Sequence, residues 1–441
     1  MSFFLFLLVN ATLFLRPAEV VPELLGWPIF NFLIISCFVI ALPEIFAYLS
    51  EQTLDAQPIT LCVLALLVLV GVSSLANLEV EQAASAAFEF FKVVMYYMLF
   101  VSVVNSEQRL RRFVLWLLVF CFVLTTVAVL QYHEIIKLPT LSSALLDTDI
   151  DRGTGLEVRI RRLQGSGFFQ DPNELCMILA ALIPLGLYGA SDRRAGLLRL
   201  FWLGELLLIA YAIALTQSRG GLLALLAGLG AVGIARFGAR QTVALAALAL
   251  PLLMVAYGGR QTEFTPSEGT GLSRVQVWSD WMTEFRASPV LGNGMTMKDE
   301  QIIPGQEVKL LAHNSYLQGF ADLGVIGGML FLGAFYLAVW TMFRIRRGYV
   351  QIVDPEMEKL HPFLLGTVVA YSVGMFSLSI CYVMTTYMML GLAAAFARVA
   401  ATCPSLPLLR FDGKVLGRFA LAGFSFLACL YVFIKVFIRW T

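Results

Sequence analysis

The sequence predicts an all-α fold, a polytopic transmembrane helical bundle of about 12–13 spans forming a single membrane domain over residues 1–441. Composition is the first reason: 59% of the 441 residues are hydrophobic, only 14% are charged, and the mean hydropathy is +0.80. Soluble domains carry roughly 25% charged residues. Apolar runs of about 20 residues recur along the chain, as spanning helices require, and a β-barrel would instead show short alternating segments. The third reason is charge placement, because basic residues gather in every second short loop.

Taken in order, apolar spans fall at about 2–15, 27–49, 59–77, 84–104, 111–133, 172–190, 198–216, 219–236, 240–257, 314–342, 361–380, 383–400 and 418–437. The first has no basic segment ahead of it and no clear small-residue cleavage site, so it is read as an uncleaved span. The pair within 361–400 has almost no linker. Basic sets at Arg109, Arg111 and Arg112, at Arg193, Arg194 and Arg199, at Arg236 and Arg240, at Arg344, Arg346 and Arg347, and at Arg398, Arg410, Lys414 and Arg418 recur at alternate loops. The positive-inside rule makes those loops cytoplasmic, together with the N-terminus. With 13 spans, Lys435 and Arg439 end on the other side, against the rule; with 12 they do not.

Two long loops fall on the outer side, at about 134–171 and 258–313. The first carries Arg152, Arg159, Arg161 and Arg162, then runs through Gly165-Ser166-Gly167-Phe168-Phe169-Gln170-Asp171-Pro172-Asn173. Pro172 suits the first turn of a helix, with Asp171 as its N-cap. The basic run is either a solvated face or an anion site. In the second loop Val275, Trp278, Met282 and Phe285 recur at helical spacing, which predicts an amphipathic helix capped by Ser273 and ended by Ser288-Pro289. That helix could lie on the membrane surface or pack over the outer ends of the spans, with Trp278 and Trp281 as interfacial anchors. Neither loop is long enough for a large core of its own.

Few residues offer chemistry. Arg219, in Thr216-Gln217-Ser218-Arg219-Gly220-Gly221, sits between two apolar spans. It either snorkels to headgroups or, beside backbone left bare by Gly220 and Gly221, faces an anion. Arg274 stands near the start of the amphipathic helix, where phosphate is favoured; lipid phosphates are the simpler partner. His313 lies where the long loop meets the next span. A neutral imidazole there suits a general base, although a lone histidine is more often structural. His133 and His361 fall at span ends and read as packed or interfacial.

Metal and thiol chemistry find little support. There is no HExxH pattern and no pair of histidines at i, i+4. Asp147, Asp149 and Asp151 alternate in the first loop without a histidine, and Asp299 and Glu300 are adjacent and would not share a helix face. None of the seven cysteines lies in the long loops or in a CxxC spacing, which argues against disulfides and a thiolate metal site. Gly165-Ser166-Gly167 is too short for a serine nucleophile elbow. Arginines and one histidine on the outer face suit a substrate whose leaving group is already a phosphate anion.

Four stretches carry a resemblance. They are Arg162 to Asn173, Thr216 to Gly221, Ser273-Arg274 with Trp278, Phe285, Pro289 and Gly292-Asn293-Gly294, and His313 to Leu317 with Asp322-Leu323-Gly324 and Gly327. In this order they resemble the O-antigen ligase and O-antigen polymerase superfamily over about 160–335. The resemblance implies an integral membrane glycosyltransferase of the GT-C type in the inner membrane, with its active site facing the periplasm. It implies transfer of a glycan from undecaprenyl pyrophosphate to a sugar hydroxyl of lipid A–core, without metal or cofactor and with inversion at the anomeric carbon. Arg219 and Arg274 match the family's pyrophosphate-binding arginines, and His313 matches the histidine proposed to activate the acceptor. Arg162 and Asn314 fall in matching motifs as further substrate-binding candidates. Asp322 departs from the glutamate frequent in the family.

The implied partners are the lipid-linked donor, lipid A–core or another glycan acceptor, and membrane lipids, with no nucleic acid. A polymerase or a protein-glycosylating relative would share the donor; the lack of an added soluble domain favours a ligase over the latter. A lipid-linked glycan transporter is the reading from another class. Transporters place ionisable groups at mid-membrane, and here only Glu89 and Lys92, which could pair on one helix face, and Glu205 lie within spans.

Overall fold

A computed structural model describes residues 1–77, 80–138, 144–150, 157–191, 196–256, 270–295, 310–345, 351–403 and 409–438. Asp151, Arg152, Arg193, Arg194, Asp299, Glu300, Arg346, Arg347 and Arg439 lie outside the described residues. The helices are α1 (Ser2–Leu15), α2 (Pro17–Val20), α3 (Ile29–Glu51), α4 (Pro58–Asn77), α5 (Val80–Val103), α6 (Glu107–Tyr132), α7 (Pro172–Ser191) and α8 (Leu198–Thr216). They continue as α9 (Arg219–Phe237), α10 (Ala239–Ala256), α11 (Thr270–Ala287), α12 (Ser315–Ile345), α13 (Pro355–Gly374), α14 (Met384–Val399) and α15 (Gly413–Ile438). Two small antiparallel pairs accompany them, β1 (Leu145–Ile150) with β2 (Glu157–Arg162), and β3 (Gln351–Ile352) with β4 (Thr402–Cys403).

The protein is an all-α polytopic bundle. Ten of the described helices are long and apolar enough to cross a membrane. At about 1.5 Å per residue, 20 residues cover the roughly 30 Å hydrocarbon layer. Two shorter helices, α1 and α14, of 14 and 16 residues, are apolar as well. Contacts fix which ends meet. On one face Arg398 of α14 pairs with Glu51 at the end of α3 and donates to Val101 of α5, and Arg109 of α6 donates to Val103. On the opposite face, which carries the two long loops, Ser166 reaches Phe14 at the end of α1, and Asn77 at the end of α4 reaches Gly292. The end of α15 packs at Leu430 and Ile434 beside α11, and Lys435 lies 5.9 Å over the Tyr431 ring.

Close crossings hold the centre. A Cβ on Gly228 of α9 would stand 2.8 Å from Ala370 Cβ and 2.9 Å from the Gly366 carbonyl oxygen of α13. Small residues let the two backbones touch, which is how helices gain dispersion energy where lipid offers no hydrophobic drive. This crossing sets the start of α9 beside the end of α13.

The first loop folds further than its sequence reading anticipated. β1 and β2 form a hairpin in the register Leu145↔Arg162 to Ile150↔Glu157. Asp171 caps α7 as expected, its Oδ1 accepting from the Asn173 amide at 2.6 Å. In the second loop α11 starts at Thr270, so Ser273 lies inside the helix and does not cap it.

The helix α12 breaks at Gly324, which adopts φ +66°. A side chain there would strike Val290, and one on Gly292 would strike the Asp322 carbonyl. The Asp322-Leu323-Gly324 and Gly292-Asn293-Gly294 motifs therefore meet backbone to backbone. Asn293 and Gly294 amides donate to the carbonyls of Ala321 and Asp322, each at 3.0 Å. Ser73 of α4 donates to the Asp322 carbonyl at 2.7 Å and accepts from Gly294 at 3.1 Å.

Candidate functional site

On the loop face one short connection, Met375 to Val383 between α13 and α14, meets both the start of α9 and the start of α12. Arg219 is the first residue of α9, half-buried. Gln217 reverses the chain in the left-handed region at φ +52°, and Ser218 caps α9 by accepting from the Gly221 amide at 3.3 Å. Gly220 and Gly221 turn the side where a Cβ would stand toward other parts of the protein. A Cβ on Gly220 would lie 2.2 Å from Ser377 Oγ, and one on Gly221 would lie 2.1 Å from Cys176 Sγ. Their bare faces are covered by α7 and by the 375–383 connection, so the glycines serve close packing.

Arg162 closes β2 and is 5% exposed. Its Nε donates to the Thr216 carbonyl at 2.9 Å, and its Nη2 to Asn173 Oδ1 at 2.9 Å. A guanidinium on the last carbonyl of α8 also suits the negative end of that helix dipole. The Leu163 amide donates to Leu215 at 3.0 Å, so the hairpin is stitched to α8 just ahead of Arg219.

His313 is held by its backbone. It sits at φ +46°, uncommon for a residue with a side chain, and its amide donates to Ser379 Oγ at 2.9 Å. Asn314 Oδ1 accepts from the amides of Tyr316 and Leu317 at 3.1 and 3.2 Å, the cap that starts α12. Its carboxamide oxygen is thereby committed, and any contact with a substrate falls to the amide nitrogen. Ser315 Oγ donates to the Leu378 carbonyl at 2.6 Å and accepts from Ile380 at 3.0 Å. Residues 377–380 thus touch the start of α9 at Gly220 and fix His313 and Ser315. The stretch has no motif or periodicity, and sequence reasoning passed over it.

The α11 helix brings Arg274 to the same region. Trp281, 2% exposed, donates from Nε1 to the Leu310 carbonyl at 2.9 Å, and Trp278 to the Ala312 carbonyl at 2.8 Å. The tryptophans are not interfacial anchors; they pin the strand that leads into His313. Arg274 lies one turn ahead of Trp278 on the same helix face. Val275, Trp281 and Met282 bury against Leu317, Ala321 and α15, so α11 packs over the helix ends and does not float on lipid.

Behind this layer Tyr382 donates to Asp322 Oδ2 at 3.1 Å. Burial first, and then the Asp322 carboxylate, hold the Tyr382 phenol well above its ordinary range, so it stays a donor. The other two histidines are packed elsewhere: His133 Nε2 meets Tyr211 Oη at 2.8 Å, and His361 Nε2 meets the Met342 carbonyl at 2.8 Å.

A half-buried arginine at the start of α9 and another in the second turn of α11, with a histidine whose backbone is locked, can bind an anionic group and move a proton. Residues 205–332 match the family model described as O-Antigen ligase. No curated protein matches the chain. The matched segment contains Arg219, Arg274, His313 and Asp322, and leaves Arg162 and residues 377–380 outside.

Proposed function

We propose that this chain, whose residues 205–332 match the family model described as O-Antigen ligase, moves a glycan from undecaprenyl pyrophosphate to a sugar hydroxyl of lipid A–core. The reaction takes place on the periplasmic side of the inner membrane, a reading supported by the basic short loops, which favour a cytoplasmic position for the opposite face. The supporting observation is that residues 377–380 hold the start of α9, with Arg219, against the backbone of His313.

The acceptor hydroxyl oxygen attacks the anomeric carbon as the bond from that carbon to the phosphate oxygen breaks. His313 takes the hydroxyl proton, and the pyrophosphate leaves with the bonding electron pair. Attack from the face opposite the leaving group inverts the anomeric configuration. Arg219 and Arg274 offset the charge that grows on the departing pyrophosphate, where preorganised cations do most in a water-poor site. Arg162 acts mainly by fixing the end of α8 ahead of Arg219, and Asn314 by starting α12 next to His313. No metal takes part in this scheme.

The test is transfer in vitro from an undecaprenyl-pyrophosphate-linked glycan to purified lipid A–core, with a chelator in a parallel reaction. Transfer that survives chelation supports the reading. Lengthening of the carrier-linked glycan without transfer to lipid A–core would make the protein a polymerase, and neither product from a folded preparation would sink the glycosyltransferase reading.

A further inference from the structure

On the face opposite the transfer site, the ends of α3, α4, α12 and α14 enclose a cavity of about 460 Å³ that the transfer reaction does not use. Two arginines line it. Arg398 is satisfied within the protein: it pairs with Glu51, donates to the Val101 carbonyl at 3.1 Å and lies 5.0 Å over the Tyr48 ring. Arg344, half-buried in the last turn of α12, makes no ion pair among the described residues. Two guanidiniums against one carboxylate leave the lining with one positive charge.

The Gln57 side chain is anchored, its Nε2 donating to the Tyr48 carbonyl at 3.2 Å. The rest of the wall is largely apolar, through Ile59, Ile345 and Leu409. An arginine that served only to mark the charged side of the membrane would need no cavity beside it.

We propose that this cavity binds the phosphate-bearing headgroup of an anionic phospholipid. The phosphate meets Arg344. The first carbons of the acyl chains lie along the apolar wall. A soluble phosphate ester would share the chemistry of the headgroup, and the experiment separates the two sources. The inference is independent of the glycosyltransferase reading, which concerns the other face.

The experiment is native mass spectrometry of the full chain in detergent, with phosphatidylglycerol, diacylglycerol of the same chain length, and glycerol 3-phosphate as separate probes. Phosphatidylglycerol is expected to bind roughly tenfold or more tightly than diacylglycerol, and Arg344→Gln to erase that preference. Ala397→Phe, which fills the cavity and leaves its charges in place, is expected to lose the same binding. It carries the test should Arg344→Gln fail to fold. Equal, Arg344-dependent binding of glycerol 3-phosphate would keep the phosphate site and assign it to a soluble ligand. Equal binding of phosphatidylglycerol and diacylglycerol, or a preference for phosphatidylglycerol unchanged in both variants, would overturn the proposal.

Discussion

The indole N–H of Trp278 donates to the carbonyl oxygen of Ala312 at 2.8 Å, and Ala312 is the residue before His313. The α11 helix and the start of α12 are therefore one mechanical unit, with Arg274 a helical turn from that bond. Trp278→Phe keeps most of the ring packing but leaves the Ala312 carbonyl without this donor. Losing such a bond costs about 1–3 kcal/mol. Thermal unfolding should shift by a few degrees at most, while transfer should fall about tenfold as His313 loses its fixed approach. Full transfer by a variant with an intact melting profile would uncouple α11 from the site.

A base and the residue that positions it should behave differently. His313→Ala removes the proton acceptor, so transfer should fall by about 10²–10⁴, the range for a lost general base. Binding of lipid-linked donor should persist, because the arginines remain. Ser379→Ala takes away only the hydroxyl that accepts from the His313 amide. Its loss should be smaller, about tenfold, and Ser379→Thr should restore much of it. Equal losses in the Ala variants of His313 and Ser379 would mean that the imidazole has no chemical part of its own.

For Arg219 and Arg274, lysine is the informative replacement. It keeps the charge but not the planar fork that binds two phosphate oxygens at once. Each Arg→Lys variant should retain donor binding within a few-fold yet lose about 10²–10³ in turnover, as when one preorganised donor is removed from a transition state. Single-turnover rates with saturating donor would show it. A lysine variant as fast as the parent would leave the arginine only an anchor for the anion.

How far the sequence could be read follows from which forces repeat along it. The spanning helices were legible because lipid demands about 20 apolar residues each, and such runs leave no other reading. Asp171 and Pro172 announced the start of α7 by ordinary capping chemistry. The hairpin holding Arg162 was there to be found in the alternation of Val158 and Ile160 with Arg159 and Arg161, a period of two that the basic run obscured. Ser377 to Ile380 was not legible, because its role rests on a hydroxyl and backbone groups that meet partners far along the chain. The close packing at Gly220 and Gly221 was not legible either, since bare backbone in a sequence says nothing about what stands against it.

That packing can be tested by the sign of one substitution. In an ordinary helix Gly→Ala stabilises by about 1 kcal/mol. At Gly220 the new methyl would meet Ser377 Oγ at 2.2 Å and its Cβ at 2.8 Å. Gly220→Ala should therefore destabilise by roughly 1–3 kcal/mol, the usual cost of overpacking. Adding Ser377→Gly should recover most of it, a coupling read from a double-mutant cycle of melting midpoints. Gly221→Ala should resist such rescue, because the Cys176 backbone also stands 3.3 Å away. An open anion site at Gly220 would instead tolerate alanine and lose only donor binding.

Glu205 separates the enzyme from a transporter. It is fully buried in α8, and neither carboxyl oxygen has a hydrogen-bond partner among the described residues. The other ionisable pair within a span, Glu89 and Lys92, is satisfied at 2.6 Å and partly exposed. An orphaned acid in a helix interior costs stability, about 1–3 kcal/mol for the unmet hydrogen bonds alone, and a proton-coupled carrier is one system that would keep it for function. If the protein is a glycosyltransferase working at the loop face, Glu205→Met should raise the melting midpoint and leave transfer to lipid A–core unchanged. If Glu205→Met abolishes glycan transfer while the fold is intact, the acid has a working role in the membrane interior, and the transport reading gains what the ligase reading loses.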